Sequence, residues 1–240
     1  MYNDKKILAI IPARGGSKSI PLKNLALING VPMISYTFLA AKESLYIDEI
    51  MVSTDSEKIR EYAQQQGIQV PFMRPTELAR DDTPMKPVIK HALLEMERYK
   101  KTTFDIIVLL QPTSPFRKAK HINKAIALFA DKSAKSVVSV IEVPHQFSPN
   151  SLMKITSQGT VFPYEGFEKD LVLHRQTKTT LFARNGPAVL VLSRDLVLRE
   201  KSFYTPETYP YIMGEEESVD IDKPFDLEIA EFLMRKRQET

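Results

Sequence analysis

Cysteine is missing from all 240 residues, which excludes disulfide scaffolding, thiolate nucleophiles and cysteine-ligated zinc. A reducing setting fits that absence. No apolar stretch is long enough to span a membrane, and the opening MYNDKKILAI has no apolar signal region ahead of a cleavage site. The expected location is therefore cytoplasmic, with no membrane partner. Long runs of one charge are also missing: 33 Lys and Arg are interspersed with 30 Asp and Glu, for a net charge of +3. Nucleic-acid binders concentrate cations on one face, so no nucleic-acid partner is expected. RKRQ at 235–238 reads as a solvated helix end. His91, His121, His145 and His174 show no metal-ligand spacing, and no G-x-S-x-G marks a serine hydrolase.

What is present is an ordinary globular composition, 43% hydrophobic and 26% charged, consistent with one domain over 1–240. Two periods alternate along it. KILAII, EIMVSTD, the weaker IQVPF, FDIIVLLQ, KSVVSVIEV and PAVLVL read as strands. PMISYTFLAAKESL, with Pro32 in its first turn, SEKIREYAQQQ, ended by Gly67, PVIKHALLEMERY, HINKAIALFA and FDLEIAEFLMRKRQ read as helices. This rhythm predicts an α/β fold with a doubly wound, mostly parallel sheet. It fails at about 145–184, where prolines, glycines and short alternating pieces predict an inserted β-rich arm.

Ligands of such sheets bind outside the carboxyl ends of the strands, and three polar clusters fall there. The first, IPARGGSKSIPLKN, has neither the P-loop nor the dinucleotide spacing. Its glycines Gly15 and Gly16 let backbone N–H groups approach a phosphate, Arg14 offers a fork to two phosphate oxygens, and Lys18 and Lys23 add point charges. So many donors suit a triphosphate; a tight turn carrying surface cations is the alternative. Ser53-Thr54-Asp55 and Gln111-Pro112-Thr113-Ser114 are the other two clusters. In ESVDID, residues 217–222, an extended chain would put Asp220 and Asp222 on one face. Such a pair either shares a cation, for which Mg²⁺ is suited, or forms an acidic edge strand that deters aggregation.

With IPARGGSKSIPLKN, IMVSTDSEKI, MRPTELARDDT, LLQPTSPFR, HRQ, ARNGPAV and ESVDID in order along nearly the whole chain, the sequence resembles the acylneuraminate cytidylyltransferases. The resemblance implies a nucleotidyltransferase fold whose projecting arm makes a homodimer. It implies that CTP and a nonulosonic sugar acid give a CMP-sugar and pyrophosphate. Carried over residue by residue, Arg14, Gly15, Gly16, Ser17, Lys18 and Asn24 face the nucleotide's phosphates, Arg74 helps hold the cytosine, and Gln111 reaches the sugar acid. Arg14, Lys23 and Asp222 are the expected catalytic residues, with Asp220 and Asp222 on the metal. For the sugar's carboxylate the choice falls on Arg175, with Gln111 and Gln176 donating to hydroxyl or acyl groups, a salt bridge within the arm being the alternative for Arg175. Lys18 is followed by Ser19 where the family often has glycine, and PAVLVL lacks the aromatic of sialic-acid-specific members. The sugar acid therefore stays open, 3-deoxy-octulosonate included, as does a catalytically silent nucleotide binder.

Overall fold

The structure is a computed structural model and describes residues 2–164 and 180–238. β1 (Ile7–Pro12), β4 (Glu49–Ser53), β5 (Ile106–Leu109), β6 (Ser136–Glu142), β9 (Phe182–Arg184), β10 (Leu190–Ser193) and β11 (Thr208–Ile212) form a seven-stranded sheet. The order is β11-β6-β10-β5-β1-β4, with β9 on β6. β1 pairs in parallel with β4 and β5, and β6 with β11. β10 runs antiparallel between β5 and β6, and β9 antiparallel to β6. The sheet is mixed, with parallel strands flanked by helices.

Alternation along β1 shows how the layers arise. Ile7, Ala9 and Ile11 face one way, onto Ile34 and Phe38 of α1 (Met33–Lys42), Ile59 of α2 (Glu57–Gln65) and Ile122 and Ile126 of α4 (Ala119–Asp131). Leu8 and Ile10 face the other way, onto Ile89, Leu93 and Met96 of α3 (Met85–Lys100) and Leu196 and Val197 of α5 (Arg194–Arg199). Each such fully buried aliphatic side chain contributes about 1.5–3 kcal/mol, so a strand that is apolar on both faces can only lie in the middle. α6 (Pro224–Gln238) buries Ala230 in a third cluster with Ile28, Met33, Phe116 and Ile221.

Several expectations need correction. IQVPF makes no strand; only Gln69 bridges to Met51, because two residues further on the chain turns away to anchor Arg74. Pro32 lies just before α1 as its N-cap, at the end of a short hairpin of β2 (Leu27–Ile28) and β3 (Val31–Pro32). At the end of the segment expected as an arm, β9 pairs with β6 in the main sheet. The described part of that segment carries a hairpin of β7 (Met153–Ile155) and β8 (Val161–Pro163). Ser218–Asp222 carries no regular secondary structure and joins no sheet, so the acidic edge strand is excluded.

Candidate active site

β1, β4, β5 and β6 end on one edge of the sheet, and β10, running backwards, begins there. The first loop is braced at both ends. Ala13 N–H donates to Ser53 O at 2.9 Å and Gly15 N–H to Asp55 Oδ1 at 2.9 Å. A Cβ on Gly15 would lie 2.8 Å from Ser56 Cβ, so only glycine allows this approach, whereas Gly16 has open space around it. Gly15 thus spends its N–H on Asp55, not on a ligand. At the far end Leu22, with φ 46°, turns the chain into the 3-10 turn Lys23–Leu25. The Asn24 amide donates to Arg14 O at 2.9 Å, and its side chain is buried; Asn24 ties the loop shut.

Each cation of the loop meets a carboxylate from elsewhere. Arg14 Nη1 lies 2.6 Å from Asp81 Oδ1, and Lys18 Nζ lies 3.0 Å from Asp81 Oδ2. The hydrogen bond from Lys18, reinforced by Arg14, holds the Asp81 carboxyl below its ordinary pKa. Lys23 Nζ lies 2.9 Å from Asp222 Oδ1. Ser17 follows the glycines, half-exposed or more open like its neighbours in the loop.

Arg74 is buried beneath this loop. Its Nε donates to Ser53 Oγ at 3.1 Å and its Nη2 to Ser53 O, while its backbone N–H reaches Thr54 O at 2.7 Å. Burial lowers its pKa to about 10, with Asp55 opposing. These two N–H groups brace the end of β4, a structural task the expected cytosine contact did not anticipate.

Beyond β5, Gln111 Nε2 donates to Gly186 O at 2.9 Å. Ile221 N–H donates to Thr113 O at 2.8 Å, and its side chain is buried away from the edge. Asp220 and Asp222 flank that anchor, Asp220 beside Gly186 and Asp222 on Lys23. A Cβ on Gly186, whose φ is +115°, would meet Ser114 Oγ at 3.0 Å and Asp220 Oδ1 at 3.5 Å. Both of those oxygens are buried without a hydrogen-bond partner. Burial raises the Asp220 pKa, Asp222 adds to the rise, and the Thr113 hydroxyl and Lys23 oppose it. A buried carboxylate oxygen that lacks a donor is suited to a cation. Among the described residues no group of three or more acidic or histidine side chains could hold a metal, so these two carboxylates would need ligands from a substrate.

Asn185 supports this corner. Its Oδ1 accepts from Ser139 Oγ at 2.6 Å, and its Nδ2 donates to Ser218 Oγ at 2.9 Å, two residues before Asp220. His121 Nε2 lies 3.1 Å from Glu217 Oε2, which fastens the same segment to α4; its Nδ1 accepts from Lys118 N–H. Arg175 and Gln176 lie outside the described residues. Of the expected site residues, Arg14 and Lys18 thus share Asp81, Lys23 meets Asp222 near Asp220, Gln111 is held on Gly186, and Asn24 and Arg74 are buried as braces of the loop and of β4. Sequence reasoning missed Asp81 and Asn185, and found Asp55 only as part of the Ser53-Thr54-Asp55 cluster. Asp81 stood in plain view in the quoted ELARDDT.

The Cytidylyltransferase family matches residues 8–239. The chain belongs to the cytidylyltransferase family. It is 38% identical over 235 residues to a CMP-N,N'-diacetyllegionaminic acid synthase of Legionella pneumophila, covering 98% of both chains. It is also 38% identical to an N-acylneuraminate cytidylyltransferase of Streptococcus agalactiae, covering 90% of this chain and 50% of that longer protein. Among solved structures, a CMP:2-keto-3-deoxy-manno-octonic acid synthetase complexed with CTP superposes with a TM-score of 0.69 at 16% identity, covering 97% of this chain and 99% of that one. That likeness speaks for the fold alone. Cytidylyltransferases are nucleotidyltransferases, so this chain is an enzyme. No helix among the described residues is long and apolar enough to cross a membrane.

Proposed function

We propose that this cytidylyltransferase joins CTP to a nonulosonic acid, giving the CMP-sugar and pyrophosphate. The observation that carries the reading is the contact of the loop cation Lys23 with Asp222, beside the buried Asp220, while Arg14 and Lys18 of the same loop gather on Asp81. Relatives named for nonulosonic acids, 38% identical over most of the chain, set the substrate class.

Triphosphate oxygens compete with Asp81 for Arg14 and Lys18, and with Asp222 for Lys23. Arg14 can bind two oxygens in fork geometry, the lysines as point charges. With Gly16 and Ser17 beside the phosphates, the loop aligns the α-phosphorus for in-line attack by the sugar's anomeric hydroxyl. That bond forms as the bond to pyrophosphate breaks, and the hydroxyl proton leaves to solvent. Positioning and neutralisation of the developing charge supply most of the acceleration. Asp220 and Asp222 would hold a divalent cation, Mg²⁺ in this reading, which supplies phosphate neutralisation and a lowered pKa for the attacking hydroxyl. Gln111, Arg175 and Gln176 are assigned to the sugar acid, and Arg74 acts through β4 on the cytosine side.

The hairpin β7–β8 exposes Met153, Ile155 and Val161, apolar side chains that a homodimer would cover; we assign the arm to that contact, and the enzyme to the cytoplasm. Pyrophosphate release from CTP with N-acetylneuraminate, diacetyllegionaminate, pseudaminate and 3-deoxy-octulosonate tests the reading. Turnover confined to nonulosonic acids supports it. Preference for the octulosonate, or no release with any of them, overturns it.

A further inference from the structure

Arg117 is 2% exposed and no acidic side chain among the described residues pairs with it. Its Nη1 donates to Gln111 O at 2.9 Å and to Ala188 O at 2.8 Å, and its Nη2 to Thr37 Oγ1. Its Nε, also buried, has no partner. Burial alone lowers its pKa to about 9, the mark of a charge held without a counter-ion.

A second orphan donor lines the same space. Asn29 Nδ2 is buried without a partner, and Asn29 and Arg117 both line a cavity of about 240 Å³ between α1, α6 and the loop that follows Gln111. Leu39, Phe116 and Met234 supply apolar wall. Lys118 and Arg237 add positive charge, opposed by Glu43 in the wall and by Glu216, 3.5 Å from Arg237 Nη2, and Arg237 stacks over the Phe116 ring, 4.7 Å from its centroid. Buried donors and an uncompensated cation are stabilised by an anionic oxygen, while the apolar wall favours a hydrocarbon body beside it.

We propose that this cavity is a second ligand site, separate from the catalytic edge, that binds a small carboxylate on a short apolar body, with the Arg117 and Asn29 side chains shifting to present to it the Nε and Nδ2 donors that the unliganded fold keeps closed off. Arg117 also grips the backbone of Gln111 and Ala188. Occupancy therefore bears on the wall of the region assigned to the sugar acid.

The test uses the full chain labelled with ¹⁵N. The Asn29 side-chain amide and the Arg117 Nε–H signals are followed while sodium butyrate, or in a second arm inorganic phosphate, is added at fixed ionic strength. Both signals should move saturably with butyrate and share one dissociation constant, with phosphate weaker. Asn29 has φ 49°, a conformation glycine accepts, so Asn29→Gly removes the amide without straining the backbone. In that variant the Arg117 signal should report butyrate binding weakened by about tenfold, the scale of one hydrogen bond to a charged group. Signals that do not saturate, phosphate binding as tightly as butyrate, or unchanged affinity in Asn29→Gly each overturn the proposal.

Discussion

Lys23 and Asp222 are 199 residues apart in the chain and their charged atoms are 2.9 Å apart in space. A cation expected at the phosphates and a carboxylate expected at the metal thus neutralise one another until ligands divide them. Asp222 is 71% exposed, so the pair itself adds little stability. Lys23→Ala should lower kcat by at least about a hundredfold, with a smaller change in the KM for CTP, as when one preorganised charge-stabilising donor is lost. The melting temperature should shift by no more than about 2 °C. Steady-state kinetics at saturating CTP with a thermal melt check both; a KM-only defect would leave the loop as a passive cradle.

Asp220 makes the opposite prediction for stability. Its pKa in the fold is raised by burial, so between its unfolded and folded values the native state binds more protons than the unfolded chain. Stability of the metal-free protein therefore falls as pH rises through that window, and is regained on acidification. Asp220→Asn removes the buried charge. It should abolish turnover yet raise the metal-free melting temperature at pH 7 by about 2–4 °C, equivalent to about 1 kcal/mol for a chain this size. Mg²⁺ with CTP should raise the melting temperature of the unaltered protein and leave that of the variant in place.

Asp81 stands where phosphate oxygens are assigned. With Asp81→Asn, Arg14 and Lys18 lose their internal partner, and the KM for CTP should fall by about threefold at low salt, the modest scale of exposed pairs. The gain should shrink as salt rises. An increase in KM would show instead that Asp81 positions the loop.

The two glycines of the loop should part company. Gly15→Ala drives a Cβ to 2.8 Å from Ser56 Cβ and breaks the approach that lets Gly15 donate to Asp55, so a loss of about 1–3 kcal/mol is expected in denaturant unfolding. Gly16→Ala meets nothing within 4 Å, and its stability should stay within about 0.5 kcal/mol while CTP binding registers the added methyl.

The layers were legible because burial writes itself into period: Leu8 and Ile10 against Ile7, Ala9 and Ile11 could only be a strand covered on both faces. β11 was not, since TYPYI carries a proline and two tyrosines and pairs only at its β6 side. Neither was α5, whose six residues are too few for a helical period to show. The loop cations were readable as residue types at a strand end, and the ESVDID carboxylates as a closely spaced pair. Their partners were not, because Arg14 finds Asp81, and Arg74 finds Ser53, only once β4 lies beside β1. Arg74 shows the difficulty best: charge in a motif signals importance, but only burial tells bracing from binding.

β6 and β9 enclose the excursion at its base. Val143 N–H donates to Leu181 O at 2.8 Å, directly beyond the pair Glu142 and Phe182, so the segment between departs and returns through a single two-stranded neck. That neck opens on the same sheet edge as the cationic loop, yet none of the loop cations or paired aspartates lies within it. The register of β6 against β9 is therefore fixed at the neck itself, so residues added or removed beyond Val143 and Leu181 leave the pairing of those two strands as it is.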